Sequence, residues 1–230
     1  MPQPTERVDT WEMVMVHRVF RREFRLAPGL IRGVADGDRQ RAGVVGGHLN
    51  ALSTSLHHHH EGEDELLWPV LVGRVGLRAD LVHRMEAQHA RLQVLLDEID
   101  DVTPRWCRTA TSTDRDRLAD LVAQASAALD EHLADEEAEL LPLVEEYMTP
   151  AEWHALAERG QRALPKNAQV LVFLGAILEE ATEQEAAMFL RQLPMPVRLI
   201  WRLVGDRVYA RNRDRVRGTD RSLQPSLDRG

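Results

Sequence analysis

The chain has 230 residues, a formal net charge of -8 and one cysteine, Cys107. It contains no run of about 18 apolar residues that could span a bilayer. A single cysteine excludes an internal disulfide and thiolate metal sites. The acidic balance argues against general nucleic-acid binding. The first ten residues are polar, with no apolar stretch, so a cytoplasmic protein without a secretory signal is expected.

Strand signals are nearly absent, and apolar residues recur at helical spacing. A first helix is expected from Asp9, with Glu12 closing a capping box. Its inward stripe is Met13, His17, Phe20, Phe24 and Ile31, and Pro28-Gly29 should kink or interrupt it. Asp38 can cap a second helix running to about Val72, with Val45, Leu52, Leu56, His59 and Glu63 inward. A third should span Leu77 to Val102, with Leu81, Met85, His89, Leu92, Leu96 and Ile99 inward and Pro104 as its stop. A fourth should run from Asp114 to Met148 through Leu118, Leu129, His132, Glu136 and Leu140, bent near its end by Pro142. Four amphipathic helices of roughly 25–35 residues joined by short loops imply an all-α fold, an antiparallel four-helix bundle over residues 1–149.

A helical extension should follow over 150–217, opened by a capping box at Thr149 and Glu152, and then a disordered tail over 218–230. Leu171 to Leu178 is apolar nearly all round and should be buried, in this chain or at a homodimer interface. Val197, Ile200, Trp201, Val204 and Val208 would form one face of a basic amphipathic helix. That face either packs on the bundle or holds a protein partner or lipid surface.

The chemistry lies on the inward stripes. His17, His59 with Glu63, His89, and His132 with Glu136 all fall on faces that should be buried. Positions i and i+4 share a helix face, so each His-x-x-x-Glu points both groups one way. Burying such groups is unfavourable unless something pairs with them. One buried histidine is most often simply satisfied by a neighbour, but four at compatible depths, two with carboxylates, suit a pair of metal ions. Imidazole plus carboxylate fits iron, manganese or zinc. His57 and His58 read as facing solvent or a neighbouring helix, His48 as a core or supporting group, and His83 and His154 as surface. Asp64 and Glu137, one residue beyond the buried acids, either orient ligands or are solvated carboxylates.

The run His59-His60-Glu61-Gly62-Glu63-Asp64-Glu65-Leu66-Leu67-Trp68-Pro69 and its counterpart from His132 to Leu141-Pro142 resemble the hemerythrin-like, or HHE cation-binding, family. The resemblance covers about Trp11 to Met148. It implies a non-haem pair of irons, oxo- or hydroxo-bridged, that binds or reacts with dioxygen, peroxide or nitric oxide. By position, one iron would take His17 and His59, the other His89 and His132, with Glu63 and Glu136 bridging. The third helix departs from the family pattern, because Met85 stands where a histidine is expected. His60 could supply the missing ligand and is preferred. Glu86, in Glu-x-x-His with His89, is a second candidate, and an open position is the third. Two function classes remain open: a binding or sensing protein, and a di-iron oxidoreductase that decomposes peroxide or activates dioxygen. A structural zinc or manganese bundle is a weaker alternative.

Overall fold

The computed structural model describes residues 7–75, 79–164 and 167–218. The expected helix start at Leu77, the break at Pro165 and the tail beyond Gly218 lie outside them. The described chain is all-helical, without a strand, and divides into two compact units after Leu164.

In the first unit, α1 (Trp11–Arg32) packs against α2 (Arg39–Leu66) and α5 (Ser112–Asp135), and α4 (Ala79–Thr109) packs against the same two helices. Asp38 caps α2 by accepting from the Arg41 amide at 2.9 Å. α1 begins at Trp11, later than the sequence suggests. Asp9 accepts from the Trp11 amide, while the Thr10 hydroxyl donates instead to Glu145.

The prolines divide into two kinds. α1 runs on through Pro28 and α4 through Pro104, where breaks were expected. An interior proline costs about 3 kcal/mol. Phe24, Ala27 and Ile31 around the first, and Val102 and Trp106 around the second, are buried. Each large apolar side chain contributes about 1.5–3 kcal/mol on burial, so packing outweighs the loss. Pro69 and Pro142 do divide helices. α2 ends at Leu66 and α3 (Trp68–Val75) begins anew. α5 passes through a π-helical turn, Glu136–Leu140, into α6 (Leu141–Tyr147). Each proline stands second in its new helix, where its missing N–H has no intrahelical duty.

Two apolar clusters fill this unit. One takes Phe20 to Ile31 of α1, Val45 to Leu56 of α2, Leu92 to Trp106 of α4, and Leu118 to Leu133 of α5. The other takes Val8, Leu67 to Leu71, Val82, Met85, and Leu140 to Met148. His17, His60 with Glu63, His89 and Glu136 fall between them in sequence, while His132 sits at the edge of the first, just before Leu133, and buried Glu23 lies within it.

α7 (Pro150–Ala163) has the expected capping box at Thr149 and Glu152. The sequence reading groups it with the extension, but it packs on α2 in the first unit. A side chain on Gly62 would meet Leu156 at 3.3 Å, so the glycine lets α7 lie close to α2. Arg74 adds a two-point contact to Glu152 at 2.7 and 2.8 Å.

The second unit holds α8 (Gln169–Glu180), α9 (Glu183–Gln192), α10 (Met195–Ile200), a π turn (Trp201–Gly205) and α11 (Asp206–Arg217). Its core is Leu171, Leu174, Trp201 and Tyr209. Tyr209 lies so close to Gly175 that a Cβ there would fall 2.2 Å from the ring, and its hydroxyl donates to Glu179 at 2.5 Å. The face expected from α-helical spacing is divided. Trp201 is buried and Val197 and Val208 pack beside it, but Ile200 and Val204 are exposed together with Met195, Leu199 and Leu203. The π turn shifts the register beyond Trp201, where Val204 lies, whereas Ile200, Met195 and Leu199 precede it.

Candidate metal centre

Seven of the eight residues proposed from the sequence come together, in two groups. His17, His59, Glu63 and Glu136 form one, and His60, His89 and His132 the other. Within each group the ligand atoms lie within 4.8 Å of one another. The eighth, Glu86, is not brought in. Its side chain is about half exposed and faces His83 at 3.0 Å. Its backbone position, one turn from His89 and offset around α4, turns it to the rim.

The two carboxylates link the groups. Glu63 places Oε1 at 3.3 Å from His59 and Oε2 at 3.4 Å from His89. Glu136 places Oε2 at 3.4 Å from His17 and 3.6 Å from His132. Each therefore faces one imidazole of either group.

The imidazoles are oriented from outside. Glu137 accepts from His17 Nδ1 at 3.0 Å and also receives Arg21 at 2.6 Å. Asp64 accepts from His89 Nδ1 at 3.0 Å and from the Trp68 indole at 2.6 Å. Gln88 Oε1 lies 3.2 Å from His132 Nδ1. A proton held on Nδ1 leaves the Nε2 lone pair directed inward. Those Nε2 atoms meet in pairs, His17 with His59 at 3.2 Å and His89 with His132 at 3.1 Å. The sequence left Asp64 and Glu137 between an orienting role and plain solvation. Their register, one residue after each buried acid, was the available signal. Gln88 gave none.

Burial sets the electrostatics. It raises the Glu63 carboxyl above its ordinary range. Burial and then the charge of Glu63 push Glu136 up to about 8. Burial, followed by the neighbouring imidazoles, holds His59 and His60 well below the ordinary value and takes His132 down to about 2. His89 is the exception. Burial acts downward there too, but Asp64 and Glu63 outweigh it and lift His89 to about 9.

The donor set fits cations by one test. Both oxygens of Glu63, both of Glu136 and Nε2 of His60 are buried without a hydrogen-bond partner. An unsatisfied buried polar atom costs about 1–3 kcal/mol, and more for a charge. Five such atoms facing a cluster of imidazole lone pairs are explained together by bound dications. Glu23 supplies the contrast: it is buried but paired with His48 at 3.0 Å and Arg22 at 2.8 Å.

The family model described as the hemerythrin HHE cation binding domain matches residues 8–144, more than half of the chain. The chain belongs to this family. Comparison with curated proteins and with solved structures gives no match. The matched span of this HHE domain contains all seven clustered residues and ends within α6. Among the described residues no helix is long and apolar enough to cross a membrane.

The centre is open on one side. A cavity of about 280 Å³ between α2 and α4 reaches His60 and His89, with Asp64, Trp68 and Glu86 among its walls. The other five clustered residues, His17, His59, Glu63, His132 and Glu136, do not line it.

Proposed function

We propose that this chain is a non-haem di-iron protein whose paired centre binds or reacts with dioxygen, peroxide or nitric oxide. The observation that carries the reading is the double reach of Glu63 and Glu136, each facing a histidine of both ligand groups. His17, His59, Glu63 and Glu136 would hold one ion, and His60, His89 and His132 the other, with the two carboxylates shared. Iron is favoured over zinc or manganese by the family's redox chemistry, not by the donor set, which suits all three. The alternation of the apolar clusters supports an antiparallel four-helix bundle. One cluster follows His17 on α1, precedes His59 on α2, follows His89 on α4 and lies mainly before His132 on α5.

Bound iron would supply electrons to dioxygen or its reduction products. The chain's own residues would do the rest. Glu137, Asp64 and Gln88 hold three imidazoles with their lone pairs inward. The apolar layer of Met85, Leu67, Trp68 and Leu140 excludes water from one end. His60 takes the place left by Met85 beside His89, their rings stacked at 4.1 Å.

A second reading, a peroxide-decomposing or oxygen-activating oxidoreductase, is favoured by the cavity. Polar groups line it, so water and protons reach the His60 side, and a reversible oxygen carrier works best in a dry pocket.

The test is metal content and visible absorption of protein from iron-replete cells, before and after peroxide. About two irons per chain with paired-iron absorption are expected from the ligand count. A stable coloured adduct would then indicate binding, and gas release an enzyme. No iron, or one zinc per chain, would overturn the di-iron reading.

A further inference from the structure

The cavity over His60 has a lining unlike the rest of the centre. Its floor is His60 and His89. Its rim carries Glu61, Asp64, Glu86 and His57. More acids stand behind the rim, with Asp100 3.4 Å from His57 and Asp97 bound to Gln93. On the α7 side Arg159 pairs with Glu61 at 3.1 Å and Glu65 at 3.0 Å. His83 faces Glu86.

An acidic rim alone would be an ordinary solvated face. The floor makes it different. His60 is 5 % exposed, lines the cavity, and its Nε2 has no hydrogen-bond partner. Its ring lies 4.1 Å from that of His89, which shares the floor, and 5.3 Å from that of His132. A path therefore runs from solvated carboxylates to a buried, unpaired imidazole nitrogen and on to two more. Carboxylate oxygen followed by imidazole is a sequence of ligands that a partly hydrated divalent cation can exchange through one at a time.

The geometry points to this cavity as the entry site for divalent metal ions, with Glu61 and Glu86 drawing the cation in and His60 passing it to the His89–His132 group. The inference rests on the reading that this group holds a metal. The His60 side loads directly from this cavity. An acidic mouth raises local cation concentration and on-rate by about 10–10³ and loses this advantage as salt screens it.

The test is the rate at which Co²⁺ is taken up by the metal-free full-length chain, followed by visible absorbance, with the final cobalt content measured separately. Glu61→Gln with Glu86→Gln should slow uptake about tenfold at low salt and flatten its salt dependence, leaving final content and spectrum unchanged. Ala90→Arg, which puts a cation on the cavity wall, should slow it further. Removing two charges elsewhere, Glu98→Gln with Asp120→Asn, should leave the rate alone. Wild-type rates in both the Glu61/Glu86 and Ala90 variants, at full cobalt content, would overturn the entry site and leave the metal centre standing. A wild-type chain that takes up no cobalt would overturn both.

Discussion

The His17–His59 group and the His60–His89–His132 group each depend on a His-x-x-x-Glu segment followed by an acid. The acids cross over: Asp64, which follows the His59 segment, holds His89 of the other group, and Glu137, which follows the His132 segment, holds His17. The scaffolding is matched further on: Pro69 and Pro142 both fall ten residues after the motif histidine, and both end a helix. The groups differ in that Met85 stands on α4 where a histidine was expected, while His60 from α2 clusters with His89 and His132 beside the cavity. A repeated motif sets the pairing of the centre. A local departure from it lies on the half that lines the cavity.

The likeness of the two halves breaks first at the shared acids. Glu63→Ala and Glu136→Ala should each abolish binding of the second ion, since either carboxylate faces both groups. Metal analysis that finds only one ion lost in Glu136→Ala, and none in Glu63→Ala, would show that sharing is confined to one acid. Next comes the difference between neighbours. His60→Phe should leave the closed group intact and reduce loading to about one ion, as the open group keeps only His89 and His132 with the shared acids. Full loading of His60→Phe would mean that the position is supplied by water instead. The orienting acids should have smaller effects. Asp64→Asn and Glu137→Gln should weaken metal affinity by about 10–100-fold, measured by competition with a chelator, and the Asp64 variant should affect mainly the open group.

The smallest effect separates paired from unpaired buried acids. Burial alone would raise the Glu23 carboxyl, but the hydrogen bond and charge of His48, with the charge of Arg22, hold it at about 2 against an ordinary 4.5. A depressed carboxyl stabilises the fold above the ordinary value and stops doing so as pH falls through the depressed one. Glu23→Gln should therefore cost about 1–2 kcal/mol at neutral pH, with the gap from wild type closing between about pH 4.5 and 2. Urea midpoints of metal-free protein would show this. A gap that persists undiminished at pH 2 would mean that the loss comes from packing rather than charge.

Much of the first unit was legible because its stripes keep helical spacing: Leu92, Leu96 and Ile99 on α4, and Leu118, Leu129, His132 and Glu136 on α5, are all buried. The ligand histidines sat on those stripes for the same reason. His60 was harder to place. It is 100 degrees around the helix from His59, and one stripe cannot hold both; they serve because two ligand groups lie side by side. The sequence showed the capping box of α7 but not its destination. That depends on Gly62 meeting Leu156, a contact between residues 94 positions apart. The stop expected at Pro104, and the interruption that Pro28 allowed, do not occur because local propensity takes no account of Trp106 or Phe24 in the core. Beyond Trp201 the expected apolar face is lost because a π turn is invisible to a fixed period.

The π turn at Glu136–Leu140 leaves the chain an unusual tolerance of length change. Such a turn holds one residue more than an α-helical turn. Deleting Ala138 would let the segment relax to ordinary helix, with His132 and Glu136 upstream keeping their directions. The same deletion at Ala134 would rotate Glu136 by 100 degrees against His132 and part the two halves of the motif. A one-residue deletion is therefore absorbed just after Glu136 and destructive between His132 and Glu136.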